Sequence, residues 1–346
     1  MITMRNFLAI DAGGTSTRAV LVNPSGQCLG YGTAGGGNPV SRGFEAALAA
    51  LVEASREAIG DTPGGVEGAL AGMAGASLEL PSQSFREGFR SLGLRGNVMI
   101  ESDLLAAFYS GTFHDDGLAL IAGTGAVGAR VVGSQLDMVA DGTGWLLGDS
   151  GSGFWLGREV AQAVAADLDG RGPATALTCH VLAELDITLD PQARTLGRLR
   201  AQQQLIFKVY EHTAIELSRF APLVFAVPDD AVARDIVSRA AQALARTLVA
   251  AWQGGGASGL GASAVQLAAQ PLVFGGSVLT KGGTVAAAVV ERLRAATGVG
   301  AGSIVPVMVG DGVVGAAVLA LKRHGFEVDA RVFARIQESL AALRDG

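Results

Sequence analysis

Cysteine, lysine, histidine and aromatic residues are scarce in this 346-residue chain, and each scarcity excludes some chemistry. The two cysteines, Cys28 and Cys179, stand far apart without metal-ligand spacing, so no disulfide framework or thiolate metal site is expected. Such sparing use suits a reducing cytoplasm, the expected location. Four scattered histidines (His114, His180, His212, His324) offer no HExxH pattern, which sets a zinc hydrolase aside. Lysine occurs only at 208, 281 and 322, and Leu279-Thr280-Lys281-Gly282 lacks the Gly-Lys-Ser/Thr ending of a Walker A loop. Charged residues make up 17%, with a formal net charge of −6, which argues against a general nucleic-acid binder. No apolar run reaches about 18 residues without a charge or glycine, so no membrane span is expected. The start runs almost directly into a strand and has no signal-peptide layout.

What is abundant is apolar residues, at 49%, and glycine, at 50 residues. The length suffices for two domains with full cores. Phe7-Leu8-Ala9-Ile10 reads as a buried strand, Asp11-Ala12-Gly13-Gly14-Thr15-Ser16 as a tight turn, and Thr17–Val22 as a second strand. An acid at the end of a buried strand is costly without a partner, and a magnesium ion reached through water would be one. The backbone N–H groups of Gly13 and Gly14, with the hydroxyls of Thr15 and Thr17, suit a phosphate. A plain hairpin with a chance acid at its rim is the alternative reading. Sliding the chain by 110 positions lays Leu8–Thr15 on Leu118–Gly125 without a gap. The copy carries Ile121 where the first carries Asp11, so a duplicated domain would hold a polyphosphate between two glycine turns, with the metal served from one side.

In chain order, a third strand covers Gln27–Tyr31, and the loop Gly35-Gly36-Gly37-Asn38-Pro39 precedes a helix over Phe44–Ile59 capped by Ser41. Strand Val66–Ala71, helix Ser82–Leu92, strand Val98–Ile100 and helix Leu104–Ser110 complete the first lobe. From Phe154 to about Gln253 the pattern is mostly helical and too long for a loop. Gly254–Gly261 reads as a flexible connector. Strand Pro271–Phe274, helix Val285–Ala296, strand Ile304–Val309 and helices Val313–Arg323 and Asp329–Leu343 follow.

These motifs resemble those of the actin/hexokinase/Hsp70 ATPase superfamily. Asp11–Thr17 resembles its first phosphate motif, Gly123-Thr124-Gly125 its second, and Gly275-Gly276-Ser277 its adenosine motif. Gly36-Gly37-Asn38-Pro39, Ser102-Asp103 and Gly144–Gly153 further resemble the N-acetylglucosamine kinase group of the BadF/BadG/BcrA/BcrD ATPase family, from about residue 7 to 323. The resemblance implies an α/β chain of two ribonuclease-H-like, actin-like ATPase lobes with a central cleft. The lobes are expected at 1–116 and 117–323, the second with a helical insert at about 154–253; 324–346 would form a helix packing back on the first lobe. It implies ATP and Mg²⁺ as cofactors, a sugar substrate, and a homodimer. The activity implied is transfer of the γ-phosphate to the 6-hydroxyl of an amino sugar, chiefly N-acetylglucosamine. Glucosamine or another hexose is the alternative, and a BadF-type activator ATPase of a dehydratase a more distant one.

The resemblance also assigns residues. Gly13, Gly14, Thr15, Thr17, Gly123, Thr124 and Gly125 would bind phosphates, and Gly275, Gly276 and Ser277 the adenosine. Asp11 would hold magnesium through water, assisted by Asp311, for which a helix N-cap is an equal reading. Asp103 would be the general base toward the sugar hydroxyl, with an N-cap as the competing role. Asn38, Asp103, Gly144, Trp145 and Asp149 would line the sugar, although Trp145 also reads as a core aromatic and Asn38 as part of an Asn-Pro turn. Two departures bear on the acceptor. Ala126-Val127 replaces the Ser-Asn of mammalian N-acetylglucosamine kinases, and Ser150 stands where the family's motif has Glu.

Overall fold

The computed structural model describes residues 5–62, 65–73, 82–254, 270–298 and 304–345. Most of the connector expected at Gly254–Gly261 lies outside them. The chain divides into two compact units, one of 1–119, 131–136 and 309–346, the other of 120–130 and 137–308.

The first unit is built on a sheet of β1 (Asn6–Ala12), β2 (Thr17–Val22), β3 (Cys28–Ala34), β4 (Val66–Met73) and β5 (Val98–Ser102). Their order is β3-β2-β1-β4-β5, with β1–β2 and β2–β3 antiparallel and β1–β4 and β4–β5 parallel. Every residue of β1 is buried, as its unbroken apolar run demands of a strand covered on both faces. The helix Phe44–Ile59 lays Ala47, Leu51, Ala54 and Ala58 on the sheet at i, i+4 and i+7 spacing. It begins after Gly43, while Ser41 lies in a preceding helical turn, Pro39–Arg42.

Three differences from the sequence expectations are local. The third strand runs on to Ala34, and the strand expected at Ile304–Val309 is confined to Val307–Val309. The helix Val313–Arg323 belongs to the first unit, not the second, because its apolar side is spent there. Gly315 N–H donates to Ser110 Oγ at 2.9 Å, and Val313, Ala316, Ala317 and Leu319 are buried. The terminal helix Ala330–Asp345 also belongs to this unit, where Cys28 N–H donates to Ser339 Oγ at 3.0 Å.

In chain order β6 (Gly117–Ala122), β7 (Ala126–Val132) and β8 (Gln135–Asp141) come next, then the two-residue strands β9 (Arg194–Thr195) and β10 (Arg198–Leu199), then β11 (Leu272–Gly275) and β12 (Val307–Val309). The second sheet has the order β12-β11-β6-β7-β8. Position by position this reproduces β5-β4-β1-β2-β3, so the similarity between Leu8–Thr15 and Leu118–Gly125 is a repeat of the whole α/β sheet. The segment after Gly153 is mainly helical. Phe154, Leu156, Val160, Val164 and Leu168 form the buried stripe of Gly153–Asp169, and Ser152 caps that helix by accepting the Trp155 N–H at 3.2 Å.

Candidate active site

In the first unit the strand register collects the acids. Asp11 on β1 is opposite Gly72 on β4, and Gly72 is opposite Glu101 on β5, so Asp11 and Ser102-Asp103 stand at the carboxyl ends of parallel strands. Open α/β sheets take ligands at that edge. Asp11 is buried, and Oδ2 accepts the Gly312 N–H at 2.9 Å. A Cβ on residue 312 would lie 2.7 Å from Asp11 Oδ1, so the close approach requires glycine there. Burial is the main force pushing the Asp11 carboxyl up to about 6. The Gly312 N–H and Arg18 oppose it, and the charges of Asp311 and Asp103 add to it.

Asp103 opens the helix Asp103–Gly111, yet the cap is Ser102, whose Oγ accepts the Leu104 N–H at 3.2 Å. The N-cap role weighed for Asp103 therefore belongs to its neighbour. Burial raises the Asp103 carboxyl above the ordinary carboxylate range, against the backbone N–H groups and the Ser102 hydroxyl that lower it. Asp311 is occupied elsewhere. Both its oxygens accept from Arg344 Nη2, at 3.0 and 2.9 Å, Arg18 lies 3.6 Å away, and Oδ1 accepts the Val313 N–H at 3.2 Å. Two arginines and the Val313 N–H thus engage this carboxylate.

The first glycine turn closes through Gly13 N–H to Ser16 O at 3.0 Å, leaving Gly14 and Thr15 exposed at its tip. Thr17 sits differently. It is wholly buried, and its hydroxyl donates to Gly35 O at 2.8 Å, while Gly37 N–H donates to Gly13 O at 3.0 Å. Its proton thus ties the Gly35–Gly37 loop to the turn. Half-buried Asn38 follows in that loop, so the glycine turn and the loop that carries Asn38 share one support.

In the second unit the glycine turns at Gly123–Gly125 and Gly275–Ser277, some 150 residues apart in sequence, meet. Gly276 has φ 82°, and a Cβ there would lie 2.4 Å from the Ala122 carbonyl carbon and oxygen. The turn after β11 thus rests directly on the backbone leading into Gly123. The β6–β7 turn is held by Gly123 N–H to Gly125 O at 2.9 Å, and by Gly153 N–H to Gly123 O and Phe154 N–H to Thr124 O at 2.7 and 3.1 Å. A cavity of about 410 Å³ opens beside it. Gly123, Thr124 and Ser277 contribute polar wall, Ala221, Pro222 and Phe225 an apolar one, and Lys281 a cation. Phe225 comes from the helical insert and carried no motif in the sequence; Lys281 was visible only as a failed Walker lysine.

The Gly142–Gly153 run folds under the same turn. Asp149 is buried with φ 55°, and its Oδ1 accepts the Ala126 N–H at 3.0 Å. The backbone at 126 is what Asp149 uses, so that bond is indifferent to the side chain that replaces the family's Ser. Asp141, with φ 64°, accepts the Asp149 N–H at 2.7 Å and the Ser150 N–H at 3.2 Å, a positioning role with no sequence signal beyond an acid before glycine. Trp145 is 43% exposed and only tilts against Phe154, with centroids 5.7 Å apart, which rules out the core reading for it. Gly144 has φ 84° and open space around it.

The model of the BadF/BadG/BcrA/BcrD ATPase family matches residues 8–320. The N-acetyl-D-glucosamine kinase of Dictyostelium discoideum is 31% identical over 194 residues, 53% of this chain and 61% of that protein. The glucosamine kinase GspK of Vibrio cholerae is 29% identical over 182 residues, 52% of this chain and 60% of that protein. The chain thus matches about three fifths of the length of these two relatives. A solved structure of a candidate N-acetylglucosamine kinase from Chromobacterium violaceum aligns with TM-score 0.63 at 22% identity, covering 92% of this chain and 99% of that one. That likeness is one of fold, and it extends over both five-stranded sheets.

Proposed function

Since the chain belongs to the BadF/BadG/BcrA/BcrD ATPase family, we propose that it is an ATP-dependent sugar kinase that phosphorylates the 6-hydroxyl of an amino sugar, with N-acetylglucosamine as the preferred acceptor. The observation that carries this reading is the placement of two carboxylates with raised pKa, buried Asp11 and half-buried Asp103, at the carboxyl ends of the parallel strands β1 and β5, which flank β4.

Phosphoryl transfer needs positioning and charge neutralisation more than covalent participation. Asp103 takes the proton from the attacking hydroxyl, and its raised basicity keeps it useful near neutral pH. Gly14 and Thr15 present backbone N–H groups and one hydroxyl to the phosphates, as Thr124 and Gly125 do in the second unit, while Gly13 and Gly123, whose N–H groups close the two turns, shape them. The adenosine enters the cavity of Phe225, Pro222 and Ser277, where a flat base suits the apolar wall. Asp11 fits a magnesium ion held through water, because its buried carboxylate accepts the Gly312 N–H and, among the described residues, forms no ion pair. The ion, when bound, neutralises developing phosphate charge. Asn38, Trp145 and Asp149 contact the sugar.

The test is a coupled ADP-release assay across N-acetylglucosamine, glucosamine, N-acetylmannosamine and glucose. The highest kcat/KM should fall on N-acetylglucosamine. Preference for glucose would sink the amino-sugar reading, and the absence of any sugar-stimulated release would sink the kinase.

Two substitutions separate the subsites. Phe225→Ala should raise the KM for ATP about tenfold with kcat little changed, since a base-stacking wall binds ground and transition state alike. Asp141→Ala leaves the N–H groups of Asp149 and Ser150 without their acceptor, at about 1–3 kcal/mol. It should raise the KM for sugar while leaving ADP affinity, read by calorimetry, near wild type.

A further inference from the structure

A second cavity, of about 530 Å³, adjoins the first in the same unit and is used by nothing above. Phe225, Lys281 and Gly282 line both, so the two compartments share a wall. The far side of the second is apolar, with Val224, Pro228, Ala233, Val237 and Ala288. Three cations face it, Lys281 and, outside the first cavity, Arg234 and Arg292. Among the described residues neither arginine has an ion-pair partner. Arg292 donates only to Ser238 Oγ and to Ala288 O, both at 3.2 Å. Asp230 and Asp235, which flank Arg234 at the start of the helix Ala231–Gln253, are engaged elsewhere. Asp230 accepts from Thr175, Ala176, Val232 and Ala233, and Asp235 pairs with Arg239 at 2.7 Å.

We infer that this compartment binds a small organic anion with an apolar body, its acid group between Arg234 and Arg292, and that its occupancy alters nucleotide affinity through Phe225. The volume suits a small molecule, and an apolar floor under unpaired guanidinium groups favours an acidic group on an apolar scaffold over either alone. Because Phe225, Lys281 and Gly282 cannot serve two occupants independently, the two sites must be coupled, and coupling is reciprocal. The inference rests on the nucleotide reading of the first cavity for the coupling alone; anion binding stands apart from any kinase activity.

The probe is 8-anilinonaphthalene-1-sulfonate, read by fluorescence on the whole protein, with neutral N-phenyl-1-naphthylamine as its uncharged counterpart. Wild type should bind the sulfonate saturably at one site. Arg234→Ala/Arg292→Ala should weaken it about tenfold or more, as expected for lost charge-assisted contacts, with an unchanged unfolding midpoint and an ATP KM within about twofold of wild type. The neutral compound should bind wild type and variant alike. Ala288→Phe, which fills the pocket and keeps both arginines, should also abolish sulfonate binding. Saturating ADP should shift the probe's affinity to a plateau without expelling it. Equal binding by the double variant, or retention by Ala288→Phe, overturns the site. Complete competitive displacement by ADP places the probe in the nucleotide cavity and overturns it equally. Probe binding as described with no ADP effect overturns the coupling. Failure of sugar phosphorylation with intact probe behaviour counts against the kinase reading alone.

Discussion

Asp103→Asn is expected to lower kcat by about 10²–10⁴-fold while leaving the KM for sugar and the unfolding midpoint close to wild type. The asparagine keeps the shape and an acceptor for local N–H groups, and the helix cap is untouched because Ser102 provides it. What is lost is the ability to take the hydroxyl proton. The pH profile isolates that loss from mere misplacement. Burial raises the Asp103 carboxyl, so in wild type kcat at saturating Mg-ATP, where bound metal would hold Asp11 ionised, should fall as pH drops through that raised value. In the variant this acid limb should vanish. Turnover at the wild-type rate, or an unchanged acid limb, would remove Asp103 from the chemistry.

Asp11→Asn should stabilise the metal-free protein at pH 7.5 and yet cut kcat/KM with Mg-ATP by about 10²-fold or more. Folding raises the Asp11 carboxyl from 3.8 to about 6, so the native state binds its proton more tightly than the unfolded chain does. The resulting penalty is absent below about pH 4, grows between about 4 and 6, and is complete above that; a shift of this size corresponds to about 3 kcal/mol as an upper bound. Asparagine can still accept the Gly312 N–H and carries no charge to desolvate. Its gain in unfolding midpoint should therefore be largest at neutral pH and fade toward pH 4. A variant less stable than wild type at pH 7.5 would contradict the electrostatic account. Undiminished Mg-ATP turnover would contradict the metal assignment.

The two predictions depend on features of unequal legibility. The strand ending in Asp11, the glycine turns at 13–14 and 123–125 and the strand before Gly275 were all readable, because a buried strand must be continuously apolar and a turn that approaches another backbone must be glycine. The helix Phe44–Ile59 was readable to its last residue, because its apolar period is regular and Gly60 ends it. Hydroxyl and carboxylate partners were not. Thr17 donates to Gly35, 18 residues away, and Asp311 accepts from Arg344, 33 residues away. A polar side chain bonds to whatever the fold brings within about 3 Å, and that neighbour is seldom near in sequence.

Sequence by itself determined the repeat: two lobes, each opening on a strand, a glycine turn and a second strand, only one turn bearing an acid. That much follows from apolar periodicity and the backbone freedom of glycine, which are local properties. Tertiary structure alone decided that Val313–Arg323 joins the first unit, that Gly276 rests on Ala122, that Ser102 and not Asp103 caps its helix, and that Phe225 walls the cavity beside the Gly123 turn. Each of these is a matter of which distant surfaces complement one another in volume and hydrogen bonding, and no stretch of chain carries that information without its partner.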